Sequence, residues 1–143
     1  MKRIFVGLLL LAALVFWYYK THPMTPTVTI NGTTFTVELA LTGKEIEKGL
    51  SGRSFLAPKH GMLFVFNHKE QYAFWMKGMN FPLDFLWLDG NRIVEVTKNV
   101  LPIENGIIPQ LKPSLPVDKV LELPAGEIDA AGIKIGDTAL FNK

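Results

Sequence analysis

The chain contains no cysteine. That excludes disulfides, thiolate nucleophiles and cysteine-ligated metals, but it leaves the compartment open, because exported domains of this size can fold without bridges. Histidine is scarce: His22, His60 and His68 form no ligand pattern. His60 and His68 flank one apolar run, and eight extended residues span roughly 26 Å at ~3.3 Å each, too far to share an ion. There is no glycine-rich phosphate loop and no dinucleotide fingerprint. Ser51 sits in Gly-Leu-Ser-Gly-Arg, but a nucleophile elbow needs glycine two residues after the serine, where Arg53 stands. Neither a metal site nor a cofactor is expected. Basic runs are missing as well. The formal net charge is +2, yet Lys2, Arg3 and Lys20 precede every acid, and residues 27–143 carry twelve Lys or Arg against thirteen Asp or Glu. A domain near −1 with no basic stripe argues against nucleic acid as a partner.

Charge is also absent from the N-terminal run Ile4–Tyr19, IFVGLLLLAALVFWYY, whose only polar side-chain atoms are two tyrosine hydroxyls. As a helix it would measure about 24 Å at ~1.5 Å per residue, short against a bilayer core of ~30 Å. Trp17, Tyr18 and Tyr19 are placed as an interfacial belt, and Lys20 can snorkel. THPMTPT beyond it offers no small-residue cleavage pattern. Residues 1–20 therefore read as a membrane anchor, or as a signal segment should the chain be cleaved. Lys2 and Arg3 favour the cytoplasm and put the rest on the extracytoplasmic side. Residues 21–26, with Pro23 and Pro26, read as a linker, and 27–143 as one β-rich domain.

Along that domain, Thr27–Ile30 and Thr33–Ala40 are strand-forming runs around Asn31-Gly32, a type I′ hairpin signal. Thr42-Gly-Lys-Glu45 fits a capping box and predicts a helix over 43–51 with Gly52 as its C-cap. Gly61–Phe66 is a wholly apolar strand, Asn67–Gln71 a turn and Tyr72–Lys77 a strand. Gly78-Met-Asn breaks the run, Leu83–Leu88 resumes it, and Arg92–Thr97 returns as its hairpin partner. A two-residue turn there would set Asp84 opposite Glu95, so a three-residue loop, Asp89–Asn91, is preferred. Asn99–Pro116 holds four prolines and no helix. Its Leu101, Ile103, Ile107, Ile108 and Leu111 are too apolar for a solvated linker and predict a cover packed on the barrel through Ile103, Ile107, Ile108 or Leu111. Lys119–Leu123 is a strand, Glu127–Ala131 one helical turn, and Thr138–Phe141 the closing strand. The sum is mainly β: a small antiparallel barrel or sandwich with one or two short helices, behind an N-terminal transmembrane or signal helix.

The stretch Tyr72–Leu88 holds six of the chain's sixteen aromatic residues, with Lys77 and Asp84 among them. Asp84 shares a strand face with Leu86 and Leu88, where an unpaired charge is costly. It is expected to pair with Arg53, or failing that with Lys77 or Arg92. Glu122 lies between Leu121 and Leu123. Arg53, Trp75, Lys77, Asp84 and Glu122 form the candidate set. It is either an internal ion-pair network or a polar site at a barrel mouth with Trp75 as a stacking wall.

These residues fall in a familiar order. Gly49-Leu-Ser-Gly-Arg53, Gly61-Met-Leu-Phe-Val-Phe66, Phe74-Trp-Met-Lys77, Pro82-Leu-Asp84, Leu121-Glu122, Pro124-Ala-Gly126 and Ile135-Gly-Asp137 resemble the domain of unknown function 192 family, over about residues 27–142. The resemblance implies a small, mainly β fold, often behind a signal or anchor, and no established activity, substrate or cofactor. Many members read Asn-Thr after the lysine; here Gly78-Met79-Asn80 follows Lys77.

The sequence thus predicts a membrane-tethered, extracytoplasmic β domain. It would bind a small polar ligand or an envelope protein. Two rivals stand beside that: a hydrolase using Asp84 or Glu122 with Arg53 as an anion clamp, and a purely structural envelope component.

Overall fold

A computed structural model describes residues 11–14, 16–17, 25–103 and 106–142. Residues 11–14 and 16–17 are helical. Most of the expected anchor Ile4–Tyr19 lies outside the described residues. Among those described, no helix is long and apolar enough to cross a membrane.

The hairpin signal at Asn31-Gly32 is realised directly. Both residues have positive φ, 50° and 78°. They join β1 (Thr27–Ile30) to β2 (Thr33–Ala40) with Ile30 opposite Thr33. The capping box is also in place. Thr42 Oγ1 accepts from the Glu45 N–H, and the Glu45 carboxylate accepts from the Thr42 and Leu41 N–H groups. It starts α1 (Gly43–Lys48), which ends sooner than predicted: Gly49, not Gly52, is the C-cap, with φ 47°. The chain continues through β3 (His60–Glu70), β4 (Phe74–Trp75), β5 (Leu83–Asp89), β6 (Arg92–Val100), β7 (Gln110–Leu111), β8 (Val117–Pro124), α2 (Glu127–Ala130) and β9 (Leu140–Asn142).

Seven strands form one sheet in the order β6-β5-β8-β3-β2-β1-β9, and β4 pairs with β7 apart from it. The sheet curls into a half-barrel. Its two edge strands approach at one end, where Arg92 bridges Thr138 and the Ile93 N–H bonds the Asp137 carbonyl. All pairings are antiparallel except β2 with β3, which run parallel from Thr36↔His60 to Ala40↔Phe64. That departure from the all-antiparallel expectation has a cause in the chain: parallel neighbours need a crossover, and residues 41–59 supply one that carries α1.

Alternation along the strands feeds two apolar clusters. One gathers Val28, Ile30, Phe35, Val37, Leu63, Leu86, Leu121 and Leu123, drawn from β1, β2, β3, β5 and β8 together, as the inside of a curl must be. The other, on the opposite face, gathers Met62, Phe64, Phe74, Met76, Phe85, Trp87 and Val120. Each large side chain so buried contributes about 1.5–3 kcal/mol. A Cβ on Gly61 would stand 2.6 Å from the Glu122 carbonyl oxygen of β8, so only glycine fits without a backbone shift.

Three sequence expectations fail in detail. The β5–β6 hairpin turns on Gly90-Asn91, with Asp89 opposite Arg92, and register shifts place Trp87, not Asp84, opposite Glu95. Only Gly90 of the turn pair has positive φ. The strand expected over Tyr72–Lys77 shortens to β4, although its alternation holds, with Phe74 and Met76 buried and Ala73, Trp75 and Lys77 exposed. The 99–116 loop does not pack as a whole. Leu111 reaches the second cluster through β7, but Leu101, Ile103, Ile107 and Ile108 are exposed, Ile107 at 70%. The prolines explain this: they prevent a regular element that would turn one face inward.

Candidate functional site

One pocket of about 260 Å³ opens on the second face of the sheet. Three segments wall it. The first is α1 with its exit, giving Ile46, Glu47, Lys48, Leu50 and Ser51. The second is the end of β3, giving Phe64 and Phe66, and the third is Tyr72–Trp75 with Met79. Glu122 of β8 reaches it as well.

The walls are fixed by local bonds. The Ser51 hydroxyl donates to the Lys77 carbonyl at 2.8 Å, and the Gly52 N–H donates to the Gly78 carbonyl at 2.8 Å. Gly78 has φ 74°, and a Cβ there would meet Ser51 Cβ at 3.3 Å. Glycine at this position therefore has a geometric reason. Asn80 Nδ2 donates to the Arg53 carbonyl at 2.8 Å, tying the same two loops again. Aromatic contacts stiffen the rest. Phe66 and Tyr72 stack with centroids 3.6 Å apart, and Phe74 meets Phe64 edge-on at 5.0 Å and Trp87 at 5.5 Å. The Tyr72 hydroxyl donates to the His68 carbonyl. Trp75 stays 48% exposed at the mouth.

Glu122 is the polar group of this site. It belongs to a row across four strands: Glu38 opposite Met62, Met62 opposite Glu122, and Glu122 opposite Phe85. It is 5% exposed, and its carboxyl forms no hydrogen bond or ion pair with any described residue. Burial alone pushes its pKa up to about 8. A carboxyl with that value is mostly neutral at pH 7 and can both donate and accept a hydrogen bond.

The remaining candidates are placed elsewhere. Asp84 is fully buried on the inner face, but no described cation meets it. Its Oδ1 accepts from the Asn99 N–H at 2.8 Å, and its Oδ2 from the Gly126 and Ile128 N–H groups at 2.9 and 3.0 Å. It thus caps α2, whose N-cap Gly126 has no side chain to do so. The expected pairing with Arg53 is absent. Arg53 instead grips Glu38 with two bonds, Nη1 to Oε1 at 2.5 Å and Nη2 to Oε2 at 2.8 Å. That contact lowers the Glu38 pKa and raises that of Arg53. Lys77 is exposed, and Arg92 belongs to the β6 turn. Of the five candidates, Trp75 and Glu122 share the pocket. The candidate set does not include Phe64, Phe66, Tyr72 and Leu50, although the segments Gly-Leu-Ser-Gly and Gly-Met-Leu-Phe-Val-Phe carry three of them. Among the described residues no group of three His, Asp or Glu could hold a metal ion.

The profile of a family described as an uncharacterized ACR, domain of unknown function 192, matches residues 26–141. Two crystal structures resemble the fold. One is a protein from Sinorhizobium meliloti 1021 described as a candidate transcription regulator: 33% identity, TM-score 0.75, covering 82% of this chain and 94% of that one. The other is a protein of unknown function from Novosphingobium aromaticivorans DSM 12444: 33% identity, TM-score 0.72, covering 80% and 83%. No curated protein matches. With its profile matched from β1 to β9, the chain belongs to the domain of unknown function 192 family.

Proposed function

We propose that this protein is a ligand-binding module whose site is the pocket over Glu122. One observation carries the reading: a carboxyl group 5% exposed, without a partner among the described residues, in a pocket walled mainly by aromatic and aliphatic side chains, with Glu47, Lys48 and Ser51 on the α1 side. No described side-chain oxygen is both sealed from solvent and unpaired, so the Glu122 carboxyl is reached through the pocket, and a ligand bringing its own polar group can bond it there. The hydrolase alternative has no common centre. Asp84 is held on the inner face by three backbone N–H groups, Arg53 is taken by Glu38, and the Ser51 hydroxyl donates to a carbonyl. The regulator description of the Sinorhizobium relative would call for a basic face, and residues 27–143 are close to −1.

The test is a thermal-shift screen of the purified chain against amines, metabolites, sugars and short peptides, repeated on Trp75→Ala. Trp75 is half exposed, so the variant should fold, and true pocket ligands should bind at least ~10-fold more weakly. Ligands that bind the variant unchanged would place the site elsewhere.

On the same reading the domain is tethered outside the cytoplasm by Ile4–Tyr19, with Lys2 and Arg3 retained inside. Protease added to intact spheroplasts should digest it. Protection until the membrane is broken would overturn the tether's orientation.

A further inference from the structure

The pocket's lining constrains what it takes. Phe64, Phe66, Tyr72, Phe74 and Trp75 present ring surface, whose faces carry negative potential and attract cations. The remaining walls, Ile46, Leu50 and Met79, are apolar. The single deep polar group is an acid. On the α1 side the lining also includes one acid, Glu47, and one cation, Lys48. The Tyr72 hydroxyl is already committed to the His68 carbonyl, and the Glu38–Arg53 pair, further along the row of Glu122, is closed on itself. No described cation forms an ion pair with Glu122.

Resting on the pocket reading above, we infer that the ligand is a small organic cation, an alkylammonium group that seats its nitrogen on the Glu122 carboxyl and its carbon chain against the Phe66, Tyr72 and Trp75 rings. An anionic ligand would face a carboxyl and ring faces together. A neutral alcohol could bond Glu122 but would leave the rings' attraction for positive charge unused. The alkylammonium supplies three N–H donors and the missing countercharge.

The binding step balances as follows. The free pocket holds Glu122 as a neutral acid at pH 7. The ammonium ligand enters with its own proton. Glu122 releases its proton to solvent, and a carboxylate–ammonium pair remains. Binding therefore expels close to one proton per ligand at pH 7. Apparent affinity should rise ~10-fold per pH unit while the free acid is protonated and level off above its pKa of about 8.

The test uses the full chain with a matched pair of probes, n-hexylammonium and n-hexanol. Titration calorimetry in two buffers of different ionisation enthalpy counts the protons. Hexylammonium should bind, with near-stoichiometric proton release at pH 7 and tighter binding at pH 8 than at pH 6. Glu122→Gln keeps the shape of the side chain, and it should abolish the proton release and weaken binding at pH 8 by at least ~10-fold. Hexanol bound as tightly as hexylammonium, or hexylammonium bound without proton release, would overturn the cation assignment while leaving the pocket standing. Failure of both probes to bind at millimolar concentration would count against the cation and the pocket alike.

Discussion

Asp84→Asn should lower the stability of the domain by about 3 kcal/mol, although the change replaces one oxygen by an amide nitrogen. The Asp84 carboxylate accepts three backbone N–H groups, from Asn99, Gly126 and Ile128, with no exposure to water. Asparagine offers one oxygen and points an NH₂ at donors that have no other acceptor. A charge-assisted bond contributes about 1.5–3 kcal/mol, and a buried donor left unpaired costs about 1–3 kcal/mol. The lost bonds would free Asn99, held at φ 54°, and the start of α2 together. Arg53→Met should cost under about 1 kcal/mol, because its partner Glu38 is half exposed and such pairs contribute little. The two changes should add, since the residues share no partner. Urea unfolding of the two single variants and the double variant checks this. A double variant milder than the sum would restore the Asp84–Arg53 pairing that the structure does not have, and a neutral Asp84→Asn would mean that the carboxylate does not hold these three N–H groups.

Glu122→Gln should do the reverse and stabilise the protein in alkali. The unfolded glutamate releases its proton near 4.5, the folded one near 8. Between those values the unfolded chain binds fewer protons than the folded one, so wild-type stability falls as pH rises and is lowest above about 8. The separation corresponds to at most about 5 kcal/mol. Glutamine has no proton to lose. The variant should match wild type near pH 4 and exceed it progressively towards pH 8, with a flatter profile of melting temperature. Parallel profiles for the two proteins would mean that Glu122 reaches water and does not titrate late.

Much of this architecture is written locally. Asn31-Gly32 needs positive φ at both positions and received it. Thr42 with Glu45 is a self-contained cap. The alternation Phe74, Met76 against Trp75, Lys77 could be read from residue type even though the strand itself is short. Pairing is another matter. Nothing in Thr33–Ala40 says that its neighbour runs parallel; the clue was the helix placed between two strands, which permits a crossover without requiring one. The error at Asp84 has a similar source. A buried carboxylate in a strand demands partners, and side-chain cations are the ones a sequence displays. The donors actually used are backbone N–H groups at a helix start, signalled only indirectly by Pro124-Ala-Gly126 before Glu127. Glu122 was legible as an acid between leucines. That the wall opposite would be aromatic depended on the crossover folding α1 and Leu50 back over Phe64, a long-range outcome.

The meeting of the sheet's two ends bears on solubility. Exposed strand edges invite strands from other chains, and mostly-β proteins must block them. Here β9 is three residues long, and the start of β6 is occupied by Asp137, Gly136 and the Thr138 bridge. Farther along, β6 is distorted by two register shifts against β5, and Lys98 is drawn to Asp129 before Asn99 turns the backbone away. A foreign strand finds no straight ladder to extend, so fibril-like stacking and partner capture by strand addition are both discouraged.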